Sequence, residues 1–225
     1  MKVDKLISKN QPANWFERIT EECRNEYPMD LVNIHEMEWV IDAGCNVGGF
    51  TQAWGHRFQA IMGIDASSYN IEQYQSRHHN PTMHKALWKT DGEILQLKKY
   101  MGDGDDDTNS GNFSVTGYVN PDNGHGFRGL EYENVETLSL EGLIERVGDI
   151  GLLKVDIEGA EFEFLNNKDL RRIKYITGEF HNWLFQTVSY GSDLLEWIEE
   201  THKEIYSVGN GYESHYIKLY KRRDL

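Results

Sequence analysis

The segment WVIDAGCNVGGF, residues 39–50, decides the fold. An apolar run ends in Asp42, a glycine follows at position 44, and another glycine stands at position 48. This order predicts a buried strand that turns sharply into a helix. Glycine at both positions would let a ligand approach the backbone closely, and the free N–H groups at the start of the helix attract polar ligands. The segment therefore predicts a nucleotide-type binding pocket.

Length and charge limit what the chain can be. Its 225 residues suffice for one domain with a real core, and no apolar run approaches the roughly 20 residues of a membrane helix. The first residues lack the apolar core of a signal peptide, and the two cysteines form no disulfide framework, so we expect a cytoplasmic protein. A formal net charge of -14 disfavours nucleic acid, an anionic membrane surface and an anionic acceptor.

Strand-like and helix-like segments alternate along the chain, which predicts a doubly wound α/β fold with ligands at the carboxyl ends of the strands. We expect a single domain over residues 1–225, in which residues 1–37 form an N-terminal helical segment. The poorly patterned residues 91–134 are expected to form a hairpin with long loops over the pocket. The predicted strands are 39–43, 58–65, 81–88, 150–157, 173–180 and a closing antiparallel pair at 204–208 and 214–219; the predicted helices are 12–26, 67–78, 138–147, 193–201 and one that begins at Glu161.

The glycine segment also indicates which nucleotide binds. A dinucleotide site would require a further glycine where Asn46 stands, which weakens an NAD interpretation. Asp42, at the end of the first strand, could meet an ammonium or sulfonium group, and Asp65, at the end of the second, suits ribose hydroxyls. This combination favours S-adenosylmethionine, and the alternative is that both acids are ordinary strand-end residues. We interpret the Cys45 side chain as space-filling, because no partner stands near it in sequence.

Two motifs together resemble a known family. The first is DAGCNVG, residues 42–48, and the second is LKVDIEGAE, residues 153–161. These motifs closely resemble those of the FkbM family of S-adenosylmethionine-dependent methyltransferases, and the second is the more specific. The family usually has Ala in place of Cys45, often Glu in place of Asp65, and usually Asp in place of Ser139, where a helix cap is affected.

The resemblance implies a Rossmann-like class I methyltransferase fold, with a mostly parallel seven-stranded sheet and a closing antiparallel strand. Family members O-methylate hydroxyls of sugars, polyketides and related molecules, and some are modules of larger glycan-building enzymes. We therefore expect an O-methyltransferase of a saccharide or glycoconjugate. The alternatives are a polyketide or other small natural product as acceptor, or a catalytically silent module that binds cofactor or glycan; a homodimer is an open option.

The expected cofactor-binding residues are Asp42, Gly44, Cys45, Asn46, Gly48, Phe50, Asp65, Ala66, Ser67, Ala86 and Leu87.

The second motif carries the charges expected to act on the acceptor. Side chains alternate along a strand, so Lys154 and Asp156 share one face. In so apolar a strand both charges should lie at the pocket mouth or pair with each other. Glu158 and Glu161 follow at the start of a helix, where acids are also favoured for purely structural reasons.

The strand after the second motif ends in Glu179 and His181, which should lie beside Asp156. One interpretation is a divalent cation, Mg²⁺ or Mn²⁺, bound by Asp156, Glu179 and His181. The other is that His181 is a general base whose tautomer and pKa are set by the acids. The expected catalytic residues are Lys154, Asp156, Glu158 and His181.

Overall fold

The computed structural model describes residues 12–35, 38–102, 113–114, 127–181, 190–209 and 215–225. Helices and strands alternate along most of the described chain, as the sequence predicts. Short 3₁₀ helices cover Met29–Leu31, Gly55–Arg57 and Leu170–Arg172. The helices are α1 (Pro12–Glu26), α2 (Gly49–Trp54), α3 (Ser68–Arg77), α4 (Leu140–Val147), α5 (Glu161–Leu165) and α6 (Tyr190–Thr201). The strands are β1 (Trp39–Ala43), β2 (Ala60–Asp65), β3 (Thr82–His84), β4 (Ala86–Leu87), β5 (Ile94–Gly102), β6 (Phe113–Ser114), β7 (Phe127–Leu138), β8 (Ile150–Val155), β9 (Ile173–His181), β10 (His202–Gly209) and β11 (His215–Arg222).

The central sheet has seven strands in the order β10-β11-β9-β8-β1-β2-β3. Neighbours from β9 to β3 are parallel, and β11 runs antiparallel to both β9 and β10. The predicted doubly wound α/β class, with its closing antiparallel strand, is therefore confirmed. Strand order reverses at β1, so the carboxyl ends of β1, β2 and β8 flank the crevice where such folds bind ligands.

The predicted third strand, 81–88, is divided between two sheets. Residues 82–84 form β3 beside β2, whereas residues 86–87 form β4 and pair with β7 in a second, four-stranded sheet of order β4-β7-β5-β6. In that sheet β5 and β7 form an antiparallel hairpin, whose second strand continues to Leu138, beyond the expected range 91–134. Residues 103–112 and 115–126, to which the long predicted loops belong, lie outside the described residues. The single-domain assignment of residues 1–225 stays a prediction.

Apolar side chains on both faces of the central sheet form the core. Every residue of β8 is buried, and α4 packs its apolar side against that strand through Leu140, Leu143 and Ile144. The Ser139 hydroxyl accepts a hydrogen bond from the Gly142 N–H at 3.0 Å, so serine caps this helix where the family usually has aspartate. No helix within the described ranges is long and apolar enough to cross a membrane.

A buried histidine joins the start of β10 to the start of β9. His202 has 0% exposure, and its Nε2 lies 3.0 Å from the carbonyl oxygen of Ile173. A carbonyl can only accept, so Nε2 donates, and Nδ1 accepts from the Thr201 hydroxyl at 2.8 Å. Both ring nitrogens of the neutral imidazole are therefore satisfied. Burial lowers the pKa of His202 from its ordinary value to about 4.

We predict that His202 makes the fold less stable in acid. Below the unfolded-state pKa of about 6.5, the unfolded chain binds a proton that the folded chain excludes. Stability should therefore fall as the pH drops from about 6.5 to about 4, by up to about 3 kcal/mol from this residue. Urea unfolding of wild type and His202→Gln at pH 7, 6, 5 and 4 measures this, since glutamine removes the titration. The exposed His56→Gln variant should keep the wild-type pH profile, and equal profiles for all three proteins would contradict the assignment.

Candidate active site

An open cavity lies where the carboxyl ends of the central strands meet the β5–β7 hairpin. The empty space within it, including the part open to solvent, is about 610 Å³. Eight of the residues predicted to bind cofactor or acceptor line it: Gly44, Asn46, Asp65, Ala66, Ala86, Leu87, Asp156 and Glu158. Six further residues that the sequence did not single out also line it: Ile64, Asn70, Lys85, Leu97, Ile157 and Ala160.

The turn after β1 is held against the turn after β8. Gly44 has a φ of +71°, and a Cβ on it would lie 1.7 Å from the carbonyl oxygen of Asp156. The N–H of Asp156 in turn donates to the Ala43 carbonyl at 3.1 Å. The close approach that requires glycine is therefore between two backbone segments, and it brings the cofactor turn and the second motif together.

Asp65 organises the polar side of the cavity. Its carboxylate accepts hydrogen bonds from the N–H groups of Asn46, at 2.9 Å, and Ser67, at 2.8 Å. It also accepts from the side-chain amide of Asn70 at 3.1 Å. Burial raises the pKa of Asp65, and the hydrogen bonds oppose that rise. The carboxylate is thereby fixed at the end of β2, where the sequence predicts contact with ribose hydroxyls.

Lys154 forms the charged centre of the site. It is 4% exposed, and its Nζ lies 3.4 Å from Oδ1 of Asp42 and 3.5 Å from Oδ2 of Asp156. The ammonium also donates to the carbonyls of Gly44, at 2.9 Å, and Ala43, at 3.5 Å. Burial alone would lower the pKa of Lys154, but the carboxylates of Asp156 and Asp42 outweigh it and raise the pKa above its ordinary value. The group is therefore a permanent cation and not a base.

Asp42 is not among the residues that line the described cavity, and its contact with a bound ligand stays a prediction. Its side chain is 0% exposed and accepts from the Thr51 hydroxyl at 3.2 Å besides facing Lys154. Burial raises the pKa of this carboxyl, while the Lys154 ammonium and the Thr51 hydroxyl oppose the rise. Asp42 therefore acts on the site through the cation it holds.

Four other predicted cofactor residues lie against other parts of the protein: Cys45, Gly48, Phe50 and Ser67. Cys45 packs with Ile71 and Tyr74, which agrees with a space-filling role. A Cβ on Gly48 would meet the His78 ring at 2.4 Å, and Phe50 packs edge-on against Tyr27 in the core. The Ser67 hydroxyl caps α3 by accepting from the Asn70 N–H at 3.4 Å, and none of these four residues lines the described cavity.

The structure describes two of the three predicted metal ligands, Asp156 and Glu179. β8 and β9 pair Val155 with Gly178, so Asp156 and Glu179 follow at the same end of adjacent strands. Burial raises the pKa of the Tyr27 phenol, and the charges of Asp156 and Glu179 raise it further. Among the described side chains, no group of three or more His, Cys, Asp or Glu residues is placed to hold a metal ion. The side chain of His181 lies outside the described residues.

The residues missed by sequence reasoning share a cause. Leu97 packs with Ala86 and Val135 in a small cluster that forms the apolar wall of the cavity. The hairpin is joined to the α3 side of the site by Glu133, which accepts from the Ser68 N–H at 3.2 Å and lies 3.2 Å from His84 Nε2. These contacts join segments distant in sequence, so no local pattern marks them.

We predict that alanine at Gly44 is far more damaging than alanine at Gly92. Both glycines have positive φ, +71° and +75°, but no atom lies within 4 Å of a Cβ on Gly92. Gly92→Ala should therefore cost only the left-handed backbone penalty of about 1 kcal/mol. Gly44→Ala adds the clash with Asp156 and should cost about 3 kcal/mol more. Urea unfolding measures both, and equal losses would contradict the backbone contact.

We also predict that Lys154→Met destabilises the fold by about 3–5 kcal/mol, because it leaves a buried carboxylate without its cation. Adding Asp42→Asn should restore part of that loss, since the uncompensated charge is removed. Urea unfolding tests this, with Arg24→Gln as the control because its ion pair with Glu21 is exposed. A Lys154→Met protein as stable as the control would mean that Asp42 does not depend on the ammonium.

Comparisons with known proteins agree with this topology. The model of the methyltransferase FkbM domain matches residues 44–206, whereas a search of curated proteins found no significant match. A solved fibrillarin/Nop5p complex superposes with a TM-score of 0.52 at 10% identity, covering 93% of this chain and 83% of that one. The N-methyltransferase NodS from Bradyrhizobium japonicum WM9, with S-adenosyl-L-homocysteine, gives a TM-score of 0.46 at 10% identity and coverages of 99% and 93%.

The family match spans well over half of the chain and includes both turns that meet at Gly44 and Asp156. The strand order of the central sheet is that of class I methyltransferases. The chain therefore belongs to the FkbM family of methyltransferases, whose reaction is S-adenosylmethionine-dependent methyl transfer.

Proposed function

We propose that this methyltransferase transfers the methyl group to a hydroxyl of a saccharide or glycoconjugate. The position of Asp156 carries the proposal: its carboxylate lines the same cavity as Asp65, is 27% exposed, and lies 3.5 Å from Lys154 Nζ. An alcohol is a poor nucleophile until its proton is leaving, so methyl transfer to oxygen needs a proton acceptor close by. A partly hydrated carboxylate held by a buried cation meets that need.

The lining of the cavity fits S-adenosylmethionine. Asp65 presents a fixed carboxylate to ribose hydroxyls, and Ala86, Leu87 and Leu97 form an apolar surface suited to adenine. Gly44 and Asn46 line the same space, and the Asn46 N–H donates to the Asp65 carboxylate. When bound, S-adenosylmethionine supplies an electrophilic methyl group on its sulfonium.

The remaining acidic residues suit positioning of the acceptor. Glu158 lines the cavity two residues after Asp156, and Lys154 orients Asp156 from beneath. We propose His181 as a further base, or, with Asp156 and Glu179, as a ligand of Mg²⁺ or Mn²⁺. Chelation separates these two roles, because only the second loses activity in EDTA.

A neutral, hydroxyl-rich acceptor suits the charge of the protein. The chain has a formal net charge of -14, which repels anionic molecules, and the cavity presents Asp65, Asp156 and Glu158. Together with the family's known preference for sugar and polyketide hydroxyls, this supports saccharides first and small natural products second. A cytoplasmic location and a homodimer remain predictions.

We predict that wild type transfers labelled methyl groups from S-adenosylmethionine to neutral sugars or glycolipids in an acceptor panel. Asp156→Asn should bind S-adenosylhomocysteine normally but lose about 100-fold or more in turnover, because an amide cannot accept the proton. Binding by calorimetry and turnover by label incorporation measure the two effects separately. The panel is run with and without EDTA.

The matched control is Asp149→Asn, an aspartate whose ion pair with Arg172 lies on the surface. It should bind and turn over like wild type. Methylation of non-carbohydrate acceptors alone would overturn the saccharide proposal. Undiminished turnover by Asp156→Asn would overturn the role of Asp156, and cofactor binding without any transfer would favour a silent module.

A further inference from the structure

The turn between β8 and α5 provides much of one wall of the cavity. Asp156, Ile157, Glu158 and Ala160 all line it. The backbone of this turn is unusual, because Glu158 has a φ of +52° and Gly159 a φ of +92°. A residue with a side chain rarely adopts positive φ, and such a conformation persists only where surrounding contacts enforce it. Contacts within the protein must therefore hold Asp156 and Glu158 in place.

The carboxylate of Glu161 makes those contacts. Its Oε1 accepts hydrogen bonds from the N–H of Ile157 at 3.1 Å and the N–H of Gly159 at 3.3 Å. Glu161 is 2% exposed and does not belong to the cavity lining. Hydrogen bonds to a charged acceptor are among the stronger ones, and both amides belong to the turn that carries Glu158. The Oε1 atom of Glu161 thus binds two amides of the turn at once.

We propose that Glu161 is a positioning residue, which fixes the Asp156–Gly159 turn without touching cofactor or acceptor. The proposal rests on the proposed function insofar as Asp156 and Glu158 are the groups it places. It extends that function by assigning the last acid of the LKVDIEGAE motif a task of its own.

A simpler explanation is that an acid in the first turn of α5 stabilises the helix electrostatically. Glu163 lies in the same turn and pairs with Lys89 at 3.1 Å. It accounts equally well for a helix-end preference, yet its described partner is the exposed Lys89, whereas Glu161 accepts from two amides of the turn. Glu163 is therefore the matched control, since its neutralisation removes a charge from α5 without affecting the two amide bonds.

The test compares Glu161→Ala, Glu161→Gln, Glu161→Asp and Glu163→Gln. Glutamine retains an oxygen that can accept both bonds, whereas aspartate keeps the charge but is one methylene too short to reach both amides. We measure the dissociation constant for S-adenosylhomocysteine by calorimetry, and hydrogen exchange at the Ile157 and Gly159 amides by NMR. All measurements are made well below the melting temperature of each variant.

We expect Glu161→Ala and Glu161→Asp to weaken binding by about tenfold, because the loosened turn also carries Ile157 and Ala160, which line the cavity. Exchange at both amides should speed up by at least as much, because each variant loses a charge-assisted hydrogen bond. Glu161→Gln should remain within about threefold of wild type, and Glu163→Gln should match it. If Glu161→Ala does not fold, the comparison of Glu161→Asp with Glu161→Gln decides the question.

Three outcomes would overturn the proposal: glutamine as damaging as aspartate, unchanged exchange at both amides, or a lowered melting temperature with unchanged binding and exchange. Neither measurement uses an acceptor. A negative acceptor panel would therefore count against the saccharide proposal alone, and these outcomes against the role of Glu161 alone.

Discussion

The buried ammonium of Lys154 is the interaction on which the rest of the site depends. Its desolvation is offset only by close oxygens, and the described structure supplies four: the carboxylates of Asp42 and Asp156 and the carbonyls of Ala43 and Gly44. These oxygens belong to the end of β1, the turn after it and the turn after β8. One cation therefore joins the cofactor turn to the acid proposed to act on the acceptor, and neither can shift without exposing an unpaired charge.

The sequence predicts this centre well because its geometry is local. Side chains alternate along a strand, so Lys154 near the end of β8 and Asp156 just after it are expected on one face, and their charged atoms do lie 3.5 Å apart. The requirement for glycine at position 44 can likewise be read from the neighbouring sequence, although its cause is a contact with Asp156, which is distant in sequence. Sequence reasoning expected a ligand near Gly44. The residue lines the cavity, and the structure also places the Asp156 carbonyl where its Cβ would lie.

The remainder of the site could not be predicted, since it depends on how distant segments dock. Leu97 reaches the cavity because β7 pairs with both β4 and β5, and contacts such as Glu133 with Ser68 join the hairpin to α3. Asp42 was assigned to the ligand because it ends a strand, but its neighbour across the sheet is Lys154. The periodicity of a sequence, or a motif in it, shows which residues share a face of a strand or helix. It does not show whether that face meets the cavity or another strand.

The two carboxylates that share Lys154 differ in their surroundings, and this difference separates their tasks. Asp42 is sealed from water, so it requires the cation continuously, whereas Asp156 is partly exposed and can be solvated. If Asp156 takes up a proton, the ammonium keeps Asp42 and two carbonyls as partners, so the turn holds its shape. A site with Asp156 as the sole anionic partner would lose its buried ion pair in every turnover. In the proposed reaction, Asp42 would therefore allow Asp156 to exchange a proton without disturbing the strand ends that hold it.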